Sequence, residues 1–343
     1  MDIIKSDDFR REMKKGLHGG YLFFGEEDYL KLHALNSARS AVCSDESFAF
    51  FNDMRIDAMD FTPQALLDAL MPLPMMSDQK IVTVSGLNIA ALKPSDIDAL
   101  CAVIDTLDEY EFNVLIISVP AGAIDEGYLP KRPSSVLTKL CKKLRPVRFE
   151  TPGQSKLLAW CSKHFEHNGV KCSDDLCRAI FDRCGTSMFI LSAEIDKLSF
   201  YLRSHGRDTV EAEDIPRITC ATIENDAFAL ANSVLDGKSA KALDALAVMK
   251  YNRVEPVIIL SEISRVIYEL ALVKSMVSSG KTAFEISSIM KINEYKAKIY
   301  VAGASTKSEE KLAQAVDLCA EADRALKLSG GGYDILEQLL CSM

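Results

Sequence analysis

Apolar and polar positions follow two regimes along the chain. Up to about residue 145, short apolar runs alternate with helix-patterned stretches; beyond that point only helical periodicity remains. In the first regime Tyr21–Phe24, Phe48–Phe51, Lys80–Val84 and Asn113–Val119 read as strands, the last of the fully apolar kind found in parallel sheets. Helices are expected over Phe9–Leu17, closed by Gly19 and Gly20, and from about Glu26 to Ala41. Two more are expected over Pro63–Leu70, after the cap residue Thr62, and over Ser95–Leu107, with Ser95 or Asp96 near its cap. Strand and helix in alternation over this length predict an open α/β sheet.

In the second regime Ser155–His167, Ser173–Cys184 and Gly185–Tyr201 form a small three-helix unit closed by Gly206, with Trp160 expected to be buried. A connector begins at Asp214-Ile215-Pro216. It leads to helices over Asn225–Leu235, Ser239–Lys250, Pro256–Ser279, Thr282–Ser288, Glu294–Ala302, Ser308–Leu326 and Tyr333–Leu340, joined by turns such as Asp236-Gly237 and Ser279-Gly280. The expected organisation is an α/β domain over 1–148, a small helical domain over 149–212 and a helical carboxyl-terminal domain over 213–343.

The stretch from Tyr21 to Leu32 is an apolar strand, a turn at Gly25 and the start of a helix. A nucleotide-binding α/β domain places its phosphate loop, G-x-x-x-x-G-K-[ST], at such a point. Counted from Gly25, the lysine falls on Lys31, but the second glycine is replaced by Leu30 and the hydroxyl residue by Leu32. Leu30 puts a Cβ where backbone would wrap a phosphate, and Leu32 cannot ligate Mg²⁺. Glu26, Glu27 and Asp28 add negative charge at a helix N-terminus, which suits the helix and opposes an anionic ligand. A metal-binding acidic pair is also missing after the strand Ile81–Val84, where Ser85-Gly86 stands. The α/β domain plus helical lid has the layout of an AAA+ module with a degenerate loop, in which Gly25 and Lys31 are not expected to bind nucleotide.

Composition adds limits. The chain has 343 residues, enough for two or three cores, and no apolar run reaches the ~18 residues that span a bilayer. Met1–Asp8 lacks the basic and apolar pattern of a signal peptide, so a cytoplasmic protein is expected. A net charge of −9 opposes nucleic-acid binding by bulk electrostatics. A local exception is the segment after the turn-rich Pro120–Pro133. Lys131, Arg132, Lys139, Lys142, Lys143, Arg145 and Arg148 follow one another with no acid among them, either as a solvated helix face or as a phosphate-facing patch. Ten cysteines show no metal-site spacing; Cys177, Cys319 and Cys341 lie in helical patterns where small free thiols fit. His33, His164 and His167 have no partner at catalytic spacing in the sequence. No nucleophile, general base or metal set stands out, and no cofactor is expected.

One segment breaks the rule that connections are polar. Leu70-Met71-Pro72-Leu73-Pro74-Met75-Met76 joins a helix to a strand with apolar residues and prolines only. It either tucks into the core or forms an exposed apolar wedge; the prolines, which hold it extended and remove two donors, make the first harder, and the residues alone leave both open.

The chain resembles the delta subunit family of the bacterial DNA polymerase III clamp loader over nearly its entire length. The carriers are Leu22–Leu30, Leu73–Val82, Trp160, Gly185 followed by Glu194–Leu198, Asn225–Ala231, Ala322–Lys327 and Leu336–Leu340. The resemblance implies an AAA+-like three-domain fold without a working nucleotide site, and no catalysis by the chain alone within a DNA-directed DNA polymerase holoenzyme. It implies binding to the beta sliding clamp through an apolar pair that falls on Met75 and Met76, with Leu73 beside them. It further implies a carboxyl-terminal collar shared with gamma/tau and delta-prime subunits, and primed DNA within the complex. Three other readings remain: an active ATPase, a delta-prime-like stator, and a DNA-binding scaffold using Lys131–Arg148. The first lacks phosphate and metal groups, and the second lacks the Ser-Arg-Cys triplet and zinc module of that subunit.

Overall fold

In the computed structural model the residues described are 2–43, 46–221, 223–236, 238–251, 253–329 and 332–343. They divide into two compact units, residues 1–151 and 152–343.

The first unit opens with β1 (Ile4–Lys5) and α1 (Ser6–Met13), then β2 (Gly19–Gly25) and α2 (Asp28–Val42). A short helical turn α3 (Ala49–Asn52) runs into β3 (Asp53–Asp57), followed by α4 (Pro63–Leu70), β4 (Lys80–Ser85), α5 (Pro94–Asp105) and β5 (Asn113–Ser118). A small two-stranded ribbon, β6 (Gly127–Tyr128) and β7 (Arg132–Pro133), precedes α6 (Ser135–Leu140) and β8 (Leu144–Phe149). The main sheet has six strands in the order β1-β8-β2-β5-β4-β3, all parallel. The period-two pleat sends alternate side chains to opposite faces, and both faces are covered. Tyr21, Phe23, Ile81, Val114, Ile116, Val147 and Phe149 pack with Phe9 of α1 and Leu35 and Ala38 of α2. Leu22, Phe24, Val82, Val84, Leu115 and Ile117 pack with Leu66 and Leu70 of α4, Leu100 and Ile104 of α5, and Leu137 and Leu140 of α6.

The structure corrects several expectations in this unit. The first helix is Ser6–Met13, and Leu17 is a buried residue beyond its end. Phe48–Phe51 is not a strand: Phe48 ends a 3-10 turn, Ala49–Asn52 is α3, and the strand is Asp53–Asp57, whose polar composition hides it. Lys131–Arg148 is not one helix face but α6 followed by β8, which inserts between β1 and β2. Its buried positions Leu144, Pro146, Val147 and Phe149 are interrupted by Arg145 and Arg148, and this disguises a strand next to the centre of the sheet.

The second unit is helical: α7 (Gln154–His167), α8 (Asp174–Cys184), α9 (Met188–Ser204), α10 (Asp214–Ile218), α11 (Ile223–Leu235), α12 (Ser239–Tyr251), α13 (Pro256–Ser278), α14 (Ala283–Met290), α15 (Glu294–Ser305), α16 (Glu309–Ser329) and α17 (Tyr333–Ser342). Strand pairing here is reduced to one isolated bridge, Lys171 to Thr209, among the described residues. The expected connector at Asp214 is instead the short α10. Asp214 is buried, and a two-pronged pairing with Arg207 at 2.8 Å holds it. Trp160 is half-buried, edge-on to His164, rather than buried. His164 does have a carboxylate partner, Asp196, at 2.8 Å; α7 and α9 supply it across a gap of 32 residues. Cys177 and Cys319 are buried thiols, but Cys341 is exposed. Gly237 of the expected Asp236-Gly237 turn lies outside the described residues, as do the side chains of Asn225 and Asp226.

Candidate interaction site and the degenerate nucleotide loop

Two features of the first unit bear on function, and a line of contacts connects them. The first is the turn between β2 and α2. It contains only Glu26 and Glu27, because β2 runs to Gly25 and α2 begins at Asp28. Gly25 has φ +110°, and a Cβ there would lie 2.4 Å from the Phe149 carbonyl oxygen, so the turn is pressed onto the end of β8. The Glu27 backbone N–H donates to the same Phe149 carbonyl at 3.1 Å. The α2 N-terminus is occupied by the chain itself. The Glu27 carboxylate accepts from the Tyr29 N–H at 3.2 Å, and burial pushes its pKa up.

Lys31 is 2% exposed and points back into this turn. Its ammonium donates to the carbonyls of Gly25 at 2.8 Å and Val119 at 2.7 Å, and lies 2.7 Å from Asp28 Oδ1. An ammonium has three N–H donors, and these three oxygens engage them all. Asp28 in turn accepts from the Ala121 N–H at 3.2 Å. The lysine in phosphate-loop register is therefore an internal tie between the end of β2, the residue after β5 and α2. Ser85 ends β4 and the left-handed Gly86 (φ +79°) follows it, in place of an acidic pair. Among the described residues no three His, Cys, Asp or Glu side chains are grouped to hold a metal ion.

The second feature is the segment between α4 and β4. Met71, Leu73, Met75 and Met76 are all exposed, Leu73 at 76% and Met76 at 82%. The segment lies outside the core, yet it is fastened at both ends. At its start, the last carbonyls of α4 are capped by buried polar groups: Lys80 Nζ donates to Ala69 O at 2.7 Å and Asn113 Nδ2 to Leu70 O at 3.0 Å. Burial lowers the Lys80 pKa to about 8, and its ammonium lies 5.7 Å from the Phe112 ring centroid. Further on, the buried Asn52 grips Met75 from both sides of its backbone. Its Nδ2 donates to Met75 O at 2.8 Å, and its Oδ1 accepts from Met75 N at 2.8 Å. Met76 then adopts the left-handed conformation (φ 54°), which turns the chain toward β4 and is unfavourable for a non-glycine residue.

The connecting line starts at Arg39, near the end of α2, which donates from Nε and Nη2 to Asp53 at 2.9 and 2.8 Å. Asp53 follows Asn52, and Asn52 holds Met75. The helix that opens after the Glu26–Glu27 turn is thus linked to the apolar segment.

Residues 21–148 match the family model described as DNA polymerase III, delta subunit, and residues 224–342 match the model of the DNA polymerase III delta subunit, C-terminal domain. The chain belongs to the DNA polymerase III delta subunit family. It is similar to DNA polymerase III subunit delta of Bacillus subtilis (strain 168), at 22% identity over 97% of this chain and 94% of that one. Its fold is similar to that of a solved structure, the Bacillus subtilis DNA clamp loader delta protein, with a TM-score of 0.69, 19% identity and 98% of each chain covered.

In this delta-family chain the basic segment is largely matched by acids from elsewhere in the first unit. Lys139 pairs with Asp98 and Lys143 with Asp108. Arg145 meets Glu12 at 2.6 Å, and Arg148 meets Glu126 at 2.9 Å and Glu150 at 2.7 Å. Lys131, Arg132 and Lys142 carry no such acid among the ion pairs of the described residues. The acids come from α1, α5, the turn after α5, the residue before β6 and the residue after β8, so inspection of the segment alone misses them. Sequence reading also missed Asn52, Lys80 and Asn113, because each acts on a carbonyl at least 11 residues away.

Proposed function

We propose that this chain binds the beta sliding clamp through Leu73, Met75 and Met76 and helps to open it for loading onto primed DNA, without hydrolysing ATP itself. The observation that carries the reading is the apolar segment Met71–Met76, exposed to water while its backbone is fixed by Asn52 and by the capped end of α4. Membership of the delta family supports the choice of partner. An exposed apolar loop held in one conformation loses little entropy on docking. Each apolar side chain buried contributes ~1.5–3 kcal/mol, enough to select an open state of a ring by differential affinity but not to break a ring by force.

The occupied donors of Lys31 and the two-residue turn at Glu26–Glu27 favour a subunit whose ATP control comes from its neighbours. In this reading the helices of 149–212 act as a lid and those of 213–343 as a collar joining gamma/tau and delta-prime subunits. Lys131, Arg132 and Lys142 are the basic side chains left to face DNA inside the complex.

The test is a titration of the sliding clamp of the same organism with the full chain and with Met75→Asp plus Met76→Asp. The double variant should weaken binding by about tenfold or more, with an unchanged unfolding curve, because Met76 already lies in water and Met75 is over two-fifths exposed. Full binding by the double variant would sink the assignment of the wedge.

A further inference from the structure

Phe50 is 84% exposed and Phe51 is 49% exposed, with their rings edge to face at a centroid distance of 5.2 Å. They form part of α3, the helical turn that stands where the sequence pattern suggested a strand. Two neighbouring aromatics presented to water are a signature of an interaction surface, since aromatic side chains dominate the energetics of protein interfaces. The next residue is Asn52, which is 2% exposed and joined by two 2.8 Å hydrogen bonds to the backbone of Met75. The aromatic pair therefore precedes this clasp on one stretch of chain, and Met76 follows it on the other. Asn52 is itself immobilised through the neighbouring Asp53, which receives the fork from Arg39.

We propose that Asn52 is a positioning residue that fastens the Phe50–Phe51 pair to the Leu73–Met76 loop, so that both form one apolar docking surface for the sliding clamp. This rests on the clamp reading above. The clamp is the occupant because Asn52, next in the chain after the aromatic pair, is hydrogen-bonded to the backbone of Met75 inside the segment assigned to the clamp, which ties the two exposed apolar groups to each other. The amide is suited to the task because it donates to a carbonyl and accepts from an N–H at once. Aspartate, alanine or serine in its place could not reproduce both bonds at this reach.

The experiment measures clamp affinity of the full chain by calorimetric titration for four proteins: wild type, Phe50→Ser plus Phe51→Ser, Asn52→Asp, and the three changes together. The serine pair should weaken binding about tenfold or more, while the urea unfolding curve stays in place. Asn52→Asp keeps the acceptor for Met75 N–H and loses the donor to Met75 O, so it should also weaken binding. In its background the serine pair should cost markedly less than in wild type, the coupling that a positioning role requires and a general loss of stability does not give. If Asn52→Asp fails to fold, the serine pair alone still decides whether the aromatics belong to the surface. Wild-type affinity in the serine pair, with loss in Met75→Asp plus Met76→Asp, overturns this inference and leaves the clamp reading standing. Serines that abolish only self-association of the chain overturn it too. Strict additivity with Asn52→Asp removes the positioning role. Absence of clamp binding by wild type removes both readings.

Discussion

At the scale of single residues, the most informative side chain is Lys31. Its position in the sequence keeps the register of a phosphate-loop lysine without the rest of the loop, and its surroundings make it a structural tie. The hydrogen bonds to Gly25 O and Val119 O, with the Asp28 pair, engage the buried ammonium within the fold. Lys31→Met keeps the aliphatic stem and leaves two carbonyls and a carboxylate without their donor. Its expected cost is about 2–4 kcal/mol of stability. Urea unfolding of wild type and variant checks this, and coincident curves would show that the tie contributes nothing. Asn52 is the companion case, a polar side chain whose donor and acceptor are both spent on a residue 23 positions away.

At the scale of elements, α4 and its exit explain how an apolar loop can stay out of the core. Helix C-termini leave carbonyls unpaired, and here two interior side chains satisfy those of Ala69 and Leu70. The arrangement has a consequence for pH. Lys80 has its pKa lowered by burial from 10.5 to about 8, so the folded chain releases this proton before the unfolded chain does. Between about pH 8 and 10.5 the unfolded state binds more protons, and Lys80 makes stability rise with pH across that window. Below pH 8 both states carry the charge, and burying it is a constant cost. The stability difference between wild type and Lys80→Met, measured by urea unfolding at about pH 7.5 and at about pH 10, should therefore shift in favour of wild type at the higher pH. A difference that does not move would show that Lys80 is not titrating in the fold.

At the scale of the whole molecule, the first unit has a complete parallel sheet with both faces covered by its own helices. All residues named in the proposed docking surface lie within residues 1–151. A fragment comprising residues 1–151 is expected to unfold cooperatively and to bind the sliding clamp with an affinity close to that of the full chain. Circular dichroism and the same titration check both points. A fragment that folds but does not bind would move the docking surface elsewhere. The segment Lys131–Arg148 shows why charge has to be judged at this scale. Its cations cluster in sequence with no acid among them, while Glu12, Asp98 and Asp108 reach them from elements up to 133 residues away.

The sequence by itself determined the change from α/β to all-helical architecture, most helices, and the strands at Tyr21, Lys80 and Asn113. Each depends on local periodicity that a single segment carries. It also exposed the missing glycine and hydroxyl at Leu30 and Leu32 and the unusual apolar connection before Met75, because these are violations of local rules. It did not show β8 or β3, whose charged residues break the apolar run, while buried residues of β8 and the half-buried Met54 and Ile56 of β3 face the core. Tertiary structure alone decided what Lys31 binds, which acids answer the basic segment, and that Asn52 holds Met75. These outcomes depend on hydrogen bonds and ion pairs between residues far apart in the chain, and such partners are chosen only when the sheet order β1-β8-β2-β5-β4-β3 brings them within reach. The altered residues at Leu30 and Leu32 and the apolar connection before Met75 are visible in the sequence; the line of contacts from α2 through Arg39, Asp53 and Asn52 to Met75 is not.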